Sequence, residues 1–249
     1  MGKKGGKKHL KRHSAPAHWP IVRKGFQWTT RPSSGPHSID SSVPIGLILR
    51  DALHLVNTRR ELSKIISEGS IRVDGKPCRR DDFPVGLMDL IEVIGLNKAF
   101  RVLPDRNGKL VLKQVSDDEK EFKLCKVLGK TTLKEGTTQL NLSGGRTLTL
   151  KTTEPHPGTD FKTSDVVKIK IPDNEILDLL KLDEGVLALV TNGKNVGRWG
   201  SVLKIDRSGN RLPDLVTIVE KGGEQALTIE DYTFTIGIDE PVISMLEND

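Results

Sequence analysis

The chain of 249 residues is poor in what a large enzyme core requires: aromatics make up 4% and the hydrophobic set 35%. Small modules bury a smaller share of their surface and need fewer apolar residues, so this composition favours several small units over one large core. Long apolar runs are missing too. The longest stretches, such as Leu47-Ile48-Leu49 and Val186 to Val190, are far short of the roughly 18 residues that span a bilayer. The basic N-terminus has no apolar stretch behind it, so a secretory signal is not expected. Two cysteines, Cys78 and Cys125, cannot supply a four-ligand zinc site or a disulfide framework, and a reducing compartment is the default.

Catalytic patterns are equally scarce. No G-x-S-x-G elbow occurs. Gly129-Lys130-Thr131 resembles the end of a phosphate loop, but Leu124 stands where the first glycine belongs, and a plain turn is the better reading. The spacing of Gly193, Gly197 and Gly200 is not the dinucleotide fingerprint. His9 and His13 have no carboxylate or cysteine beside them to complete a metal site. The residues therefore point away from an enzyme, a cofactor, a metal, a small-molecule substrate and a membrane.

Charge is what the chain does have, unevenly placed. Residues 1–40 carry nine basic residues and one acid, residues 41–105 ten and nine, and residues 106–249 twenty and twenty-three, for a net charge of +6. From Gly222 onward there are seven acids and no Lys or Arg. Such asymmetry suggests a polyanion at one end and solvent or protein at the other. The basic arm is not low-complexity. Trp19, Phe26 and Trp28 alternate with Pro16, Pro20, Pro32 and Pro36, and rings and guanidinium planes suit stacking on splayed bases. Candidate RNA contacts in the arm are Lys3, Lys4, Lys7, Lys8, His9, Lys11, Arg12, Trp19, Arg23, Lys24, Trp28 and Arg31.

Beyond the arm, Ser42-Val43-Pro44 predicts a helix start, followed by an apolar stripe through Ile45, Ile48, Leu49, Ala52, Leu53 and Val56. Thr58-Arg59-Arg60-Glu61 is a capping box for a second helix, which Gly69 ends. Ile71 to Lys76 alternates up to an Asp-Gly turn, a hairpin signal. After residue 105 the pattern is of short strands with Gly, Thr and Asn turns, implying small barrels or sandwiches. A short helix is expected over 176–182.

Two further sets of residues are candidate contacts. Arg59, Arg60 and Lys64 share the second helix, and the hairpin adds Arg72, Lys76, Arg79 and Arg80. Arginines at a helix N-terminus oppose its dipole, and an external phosphate would relieve that. The loop 191–201 offers Gly193, Lys194, Asn195, Arg198 and Trp199, combining permissive backbone with charge and a stacking surface.

The segment RRELSKIISEGSIRVDGKPCRRDDFPVGLMDLIEV resembles the αL RNA-binding module, and LALVTNGKNVGRWGSVLKI resembles a KOW motif. With the arm KKHLKRHSAPAHW, the run RPSSGPHS, the central LKQVSDDEKEFKLCKV and the closing TFTIGIDEPVISM, nearly the whole chain is similar to the archaeal and eukaryotic small-subunit ribosomal protein family S4e. Asn192 stands where that family often has glycine. The resemblance implies a multi-domain α+β protein: a basic extension (1–42), an αL helix-helix-hairpin module (43–105), a β-barrel-like central domain (106–175) and a KOW SH3-like barrel with an acidic end (176–249). It further implies a cytoplasmic, non-enzymatic constituent of the small ribosomal subunit. The partners would be small-subunit rRNA and neighbouring ribosomal proteins, with no homo-oligomer. The rivals are a non-ribosomal RNA-binding assembly factor and an accessory of an RNA-modifying enzyme, since the αL module also occurs in pseudouridine synthases.

Overall fold

The computed structural model describes residues 9–134, 137–150, 161–207, 209 and 213–246. Leu10–Lys11 (β1) pairs antiparallel with Trp28–Thr29 (β2), closing the arm into a small loop. Ser42–Pro44 (β3) leads into a short helix, Ile45–Leu47 (α1), which widens into a π turn over Ile48–Ala52. The second helix, Arg59–Ser67 (α2), is followed by Ile71–Val73 (β4), Lys76–Pro77 (β5), Pro84–Gly86 (β6), Leu90–Val93 (β7), Lys98–Pro104 (β8) and Leu110–Val115 (β9). β3 pairs with β6, and the others form an antiparallel sheet in the order β5-β4-β7-β8-β9.

The capping box of α2 is formed as its sequence requires. The Thr58 hydroxyl accepts from the Glu61 amide, and the Glu61 carboxylate accepts from the Thr58 amide. Gly69 (φ 74°) takes the left-handed conformation that ends the helix, and Asp74 (φ 50°) and Gly75 (φ 75°) form the hairpin turn. The predicted start at Ser42 is corrected. Ser42 is a strand residue whose hydroxyl donates to the Ser38 carbonyl at 2.6 Å, so it caps nothing. Pairing of β3 with β6 overrides local helix propensity over these three residues.

A second antiparallel sheet is built from Phe122–Thr132 (β10), Thr138–Leu142 (β11), Arg146–Leu150 (β12), Val166–Lys170 (β13) and Ile176–Leu180 (β14), ordered β12-β11-β10-β13-β14. The helix expected over 176–182 is thus a strand. Ile176 and Leu179 pack against one apolar cluster and Leu180 lies in another, with a bulge breaking the strand's alternation, and pairing with β13 satisfies the backbone. The third sheet holds Leu187–Val190 (β15), Trp199–Asp206 (β16), Leu215–Val219 (β17), Gln225–Ile229 (β18) and Thr233–Gly237 (β19), ordered β18-β17-β16-β15-β19. Among the described residues the end strands of neither sheet pair with each other. The expected barrels are therefore open five-stranded ladders.

The sheets share their interiors. One apolar cluster joins Trp19 and Ala15 of the arm to Val43, Ile45, Leu49, Leu62, Ile66 and Ile71. Another draws Met88 from the turn between β6 and β7, Leu103 from the first sheet, Phe122 and Leu124 from the second, and Leu189, Trp199 and Phe234 from the third. Buried polar joints accompany it. Lys123 on β10 reaches Asp74 at 2.7 Å and also Asp89, while Asp89 takes His37 of the arm at 3.0 Å and the Gly86 amide at 2.8 Å. Lys126, further along the same strand, donates to the carbonyls of Glu230 (2.8 Å), Asp231 (2.9 Å) and Thr233 (2.9 Å) beside the third sheet. Arg101 donates to the Glu119 and Phe122 carbonyls, and Glu119 holds Ser244 near the C-terminal end. Each of these charges taken from water is matched by an opposite charge or by carbonyl acceptors, which is what makes its burial tolerable.

Candidate nucleic-acid interface

The arm is held by contacts to the chain itself. The Arg12 amide donates to the Gln27 carbonyl at 3.0 Å, its Nε donates to the Val22 carbonyl, and its guanidinium lies 5.8 Å from the centre of the Phe26 ring. Arg12 is buried as a result, so its charge organises the loop from within. Lys11, His13, Arg23 and Lys24 surround it and are exposed. Arg23 donates to the His13 carbonyl at 2.8 Å, bracing the two sides of the loop. His9 packs against Trp28 with ring centres 5.5 Å apart.

The two arm tryptophans, alike in sequence, have different fates. Trp19 is 3% exposed, and its indole Nε1 donates to the Ser42 carbonyl at 2.7 Å. It anchors the arm in the first core and offers no ring to a base. Trp28 is 49% exposed. Arg31 is half-buried where the arm turns toward the first sheet. Lys3, Lys4, Lys7 and Lys8 lie outside the described residues.

The arm then runs past the helix-hairpin unit. The Ser33 amide donates to the Asp82 carbonyl at 2.8 Å, and Asp81 receives Arg59 at 2.8 Å. The segment 79–82 therefore sits between the arm and the start of α2, which brings Arg59, Arg79 and Arg80 together. Arg80 pairs in a fork with Asp82 at 2.9 Å through both nitrogens. Arg60, Lys64, Arg72, Lys76 and Arg79 are exposed and make no ion pair among the described residues. Glu61 is committed to the capping box, where the Asn57 amide and the Thr58 hydroxyl and amide hold its carboxyl below the ordinary value. It therefore stays ionised, and among the described residues it makes no ion pair with Arg60 or Lys64.

The loop between β15 and β16 is tied down more than its composition suggests. Asn195 donates to the Leu227 carbonyl at 2.8 Å, and Asn192 accepts the Gly193 amide at 2.8 Å. Arg198 lies 3.1 Å from Glu224 and 3.6 Å from Glu220, which also receives Arg106 at 3.0 Å. Trp199 is buried in the shared core, with the Lys221 ammonium 5.4 Å from its ring centre. Gly193 and Lys194 remain exposed, leaving Lys194 as this loop's open cation. Gly197 (φ 78°) lies flat against the turn after β8, where a Cβ would come within 2.5 Å of the Asp105 carbonyl carbon. Arg198 and Trp199 thus belong to the scaffold. Composition alone could not separate them from surface residues, because their partners Glu220, Glu224 and Phe234 lie more than twenty residues away. Phe26 is the residue that sequence reasoning left out of its candidate set. At 79% exposed it is the most open ring of the arm.

Two basic faces, one on the arm and one on the α2 hairpin unit, present charge and shape of the class that suits a polyanion. Comparison with known proteins gives the family. The model of ribosomal family S4e matches residues 96–176, the RS4NT (NUC023) domain 4–40 and the S4 domain 48–91. The small ribosomal subunit protein eS4 of Methanothermobacter thermautotrophicus is 42% identical over 239 residues, 96% of each chain. That of Desulfurococcus amylolyticus is 42% identical over 249 residues, 99% of each. The crystal structure of the 30S ribosomal protein S4e from Thermoplasma acidophilum is similar with a TM-score of 0.66 and 33% identity, covering 80% of this chain and 96% of that one. The chain belongs to the ribosomal protein family S4e.

Proposed function

We propose that this protein is a structural, non-enzymatic constituent of the small ribosomal subunit, resident with the ribosome in the cytoplasm, and that it binds small-subunit rRNA beside other ribosomal proteins. The observation that carries the reading is a set of cations without ion pairs among the described residues, Arg60, Lys64, Arg72, Lys76 and Arg79, on the segment that matches the S4 domain. Guanidinium and ammonium groups left open on a helix and hairpin suit phosphate positioning, with base contacts secondary.

The organisation we favour is a basic extension to residue 42, an αL module over 43–105, a central β domain from 106 and a C-terminal SH3-like module carrying the KOW-type loop 191–200. Because β14 pairs with β13, the last module is best begun after Leu180. The exposed residues His9, Lys11, Arg23, Lys24, Trp28, Arg59, Arg60, Lys64, Arg72, Lys76, Arg79, Arg80 and Lys194 are the proposed RNA contacts, together with Arg31. Sedimentation of cell extract at moderate and then high salt tests the role. Stoichiometric travel with the small subunit, resistant to moderate salt, is the expected result. Presence only on precursor particles would instead make the protein an assembly factor.

A further inference from the structure

The arm presents its rings in an arrangement that general charge attraction does not require. Phe26 is 79% exposed and Val22 72%, two large apolar side chains left uncovered on one small loop. Phe26 is nonetheless positioned, because the buried Arg12 guanidinium lies against it and is itself fixed by the Val22 carbonyl. The Trp28 ring is steadied by His9 and by the pairing of β1 with β2. From residue 9 to residue 39 there is no Asp or Glu, while Lys11, His13, Arg23 and Lys24 ring the same loop.

A protein partner would have to bring a dense acidic face to such a loop. A strand of unpaired nucleotides brings both a regular anion and flat apolar surfaces. Stacking of a base on an aromatic ring is tolerant of sequence and demands only that the base be unpaired. We infer that the loop 9–29 is a docking site for unpaired RNA nucleotides, with Phe26 and Trp28 as stacking surfaces and Lys11, Arg23 and Lys24 on the phosphates. The inference deepens the proposed rRNA binding by naming the chemical form of RNA that this loop selects. Duplex RNA, with its bases already stacked, is left to the α2 face. The Arg12 guanidinium contributes by positioning: it holds Phe26 from the protein side and leaves most of the ring open.

Fluorescence tests this in the full-length protein. Trp19 and Trp199 are buried and Trp28 is exposed, so the accessible emission reports on Trp28. An unstructured RNA oligonucleotide should quench that emission, while a duplex of equal phosphate count should bind with little quenching. Phe26→Leu should weaken the single-stranded oligonucleotide by roughly 5- to 150-fold, the range for one base that no longer stacks, and leave the duplex affinity unchanged. Arg12→Lys, which keeps the charge and alters the planar support of Phe26, should produce a smaller loss of the same kind. Equal losses for duplex and single strand, or quenching that persists in Trp28→Phe, would overturn the stacking role while leaving rRNA binding standing. Binding of neither RNA by the wild-type protein would instead sink the proposed function itself. Loss of an acidic ribosomal protein from the particle, with both RNA affinities unchanged in Phe26→Leu, would reassign the rings to a protein partner.

Discussion

The Lys123 ammonium lies 2.7 Å from the Asp74 carboxylate, a pair separated by 49 positions in the chain and almost wholly buried. Asp74 belongs to the hairpin turn after β4 and Lys123 to the second sheet, so the pair fastens two sheets. It does so at the turn of the hairpin that carries the cations Arg72 and Lys76. Asp89 and His37 extend it to the arm, and Arg146 adds a second cation to Asp74 at 2.9 Å. Placement of the basic arm relative to the α2 face therefore depends on charges buried away from either basic surface.

Removing the central cation should expose that dependence. Lys123→Met leaves Asp74 and Asp89 buried with less compensation, and the expected loss of stability is about 3–5 kcal/mol by analogy with other broken buried pairs. Chemical denaturation measures it. A loss within error of zero would mean that water enters the joint and takes over from the lysine.

The same joint sets a dependence on pH. Burial by itself would raise the Asp89 carboxyl, but Lys123 and His37 hold it below its ordinary value. The native state thus binds fewer protons than the unfolded chain in acid. The stabilisation is complete above the ordinary carboxylate value of about 3.9 and drains away as pH falls through the native value. Asp89→Asn should flatten the acid limb of a plot of denaturation midpoint against pH.

Lys126 acts in the opposite sense at alkaline pH. Burial pulls its ammonium down from 10.5 to about 8, with Asp231 and Glu230 opposing. Between those two values the unfolded chain holds the extra proton, so stability should rise with pH across that window. Lys126→Met should abolish the rise. It should also cost stability at pH 7, because three carbonyl acceptors beside the third sheet lose their donor. An identical alkaline profile in wild type and variant would contradict the assignment.

Gly197 tests the packing of the third sheet against the first. Alanine there must adopt a left-handed backbone and meet the Asp105–Arg106 peptide. The expected destabilisation exceeds the roughly 1–2 kcal/mol of the backbone conformation alone. Thermal unfolding gives the value. Gly95→Ala, where a Cβ meets nothing within 4 Å, is the matched control and should be nearly silent.

Replacing Arg59, Arg60 and Lys64 together with glutamine should weaken RNA binding and reduce the slope of log affinity against log salt by about three, near one for each phosphate no longer neutralised. Circular dichroism should be unchanged, since Arg60 and Lys64 make no ion pair among the described residues and Arg59 has only its exposed link to Asp81. An unaltered salt slope would move the phosphate contacts elsewhere.

Local chemistry made much of this protein legible from its residues. The capping box at Thr58, the left-handed Gly69, the Asp74-Gly75 turn and strands such as Thr138–Leu142 all rest on hydrogen bonds or φ preferences spanning a few residues, and all are present. The charge gradient along the chain is likewise a property of sequence. Burial is not, because it depends on what distant segments bring. Trp19 and Trp28 sit in the same basic arm, yet only the partnership with Ser42 and the first core decides that one is an anchor and the other an open ring. Arg12 and Arg198 are withdrawn from the surface by the Val22 carbonyl and by Glu220 and Glu224. Ser42 and the segment 176–180 become strands because β6 and β13 supply ladders. The sequence by itself determined the capping box of α2, the glycine turns and where positive charge would lie. Only the tertiary structure decided which charges and rings remain free for a partner, because desolvation is settled by contacts between segments that the chain order keeps far apart.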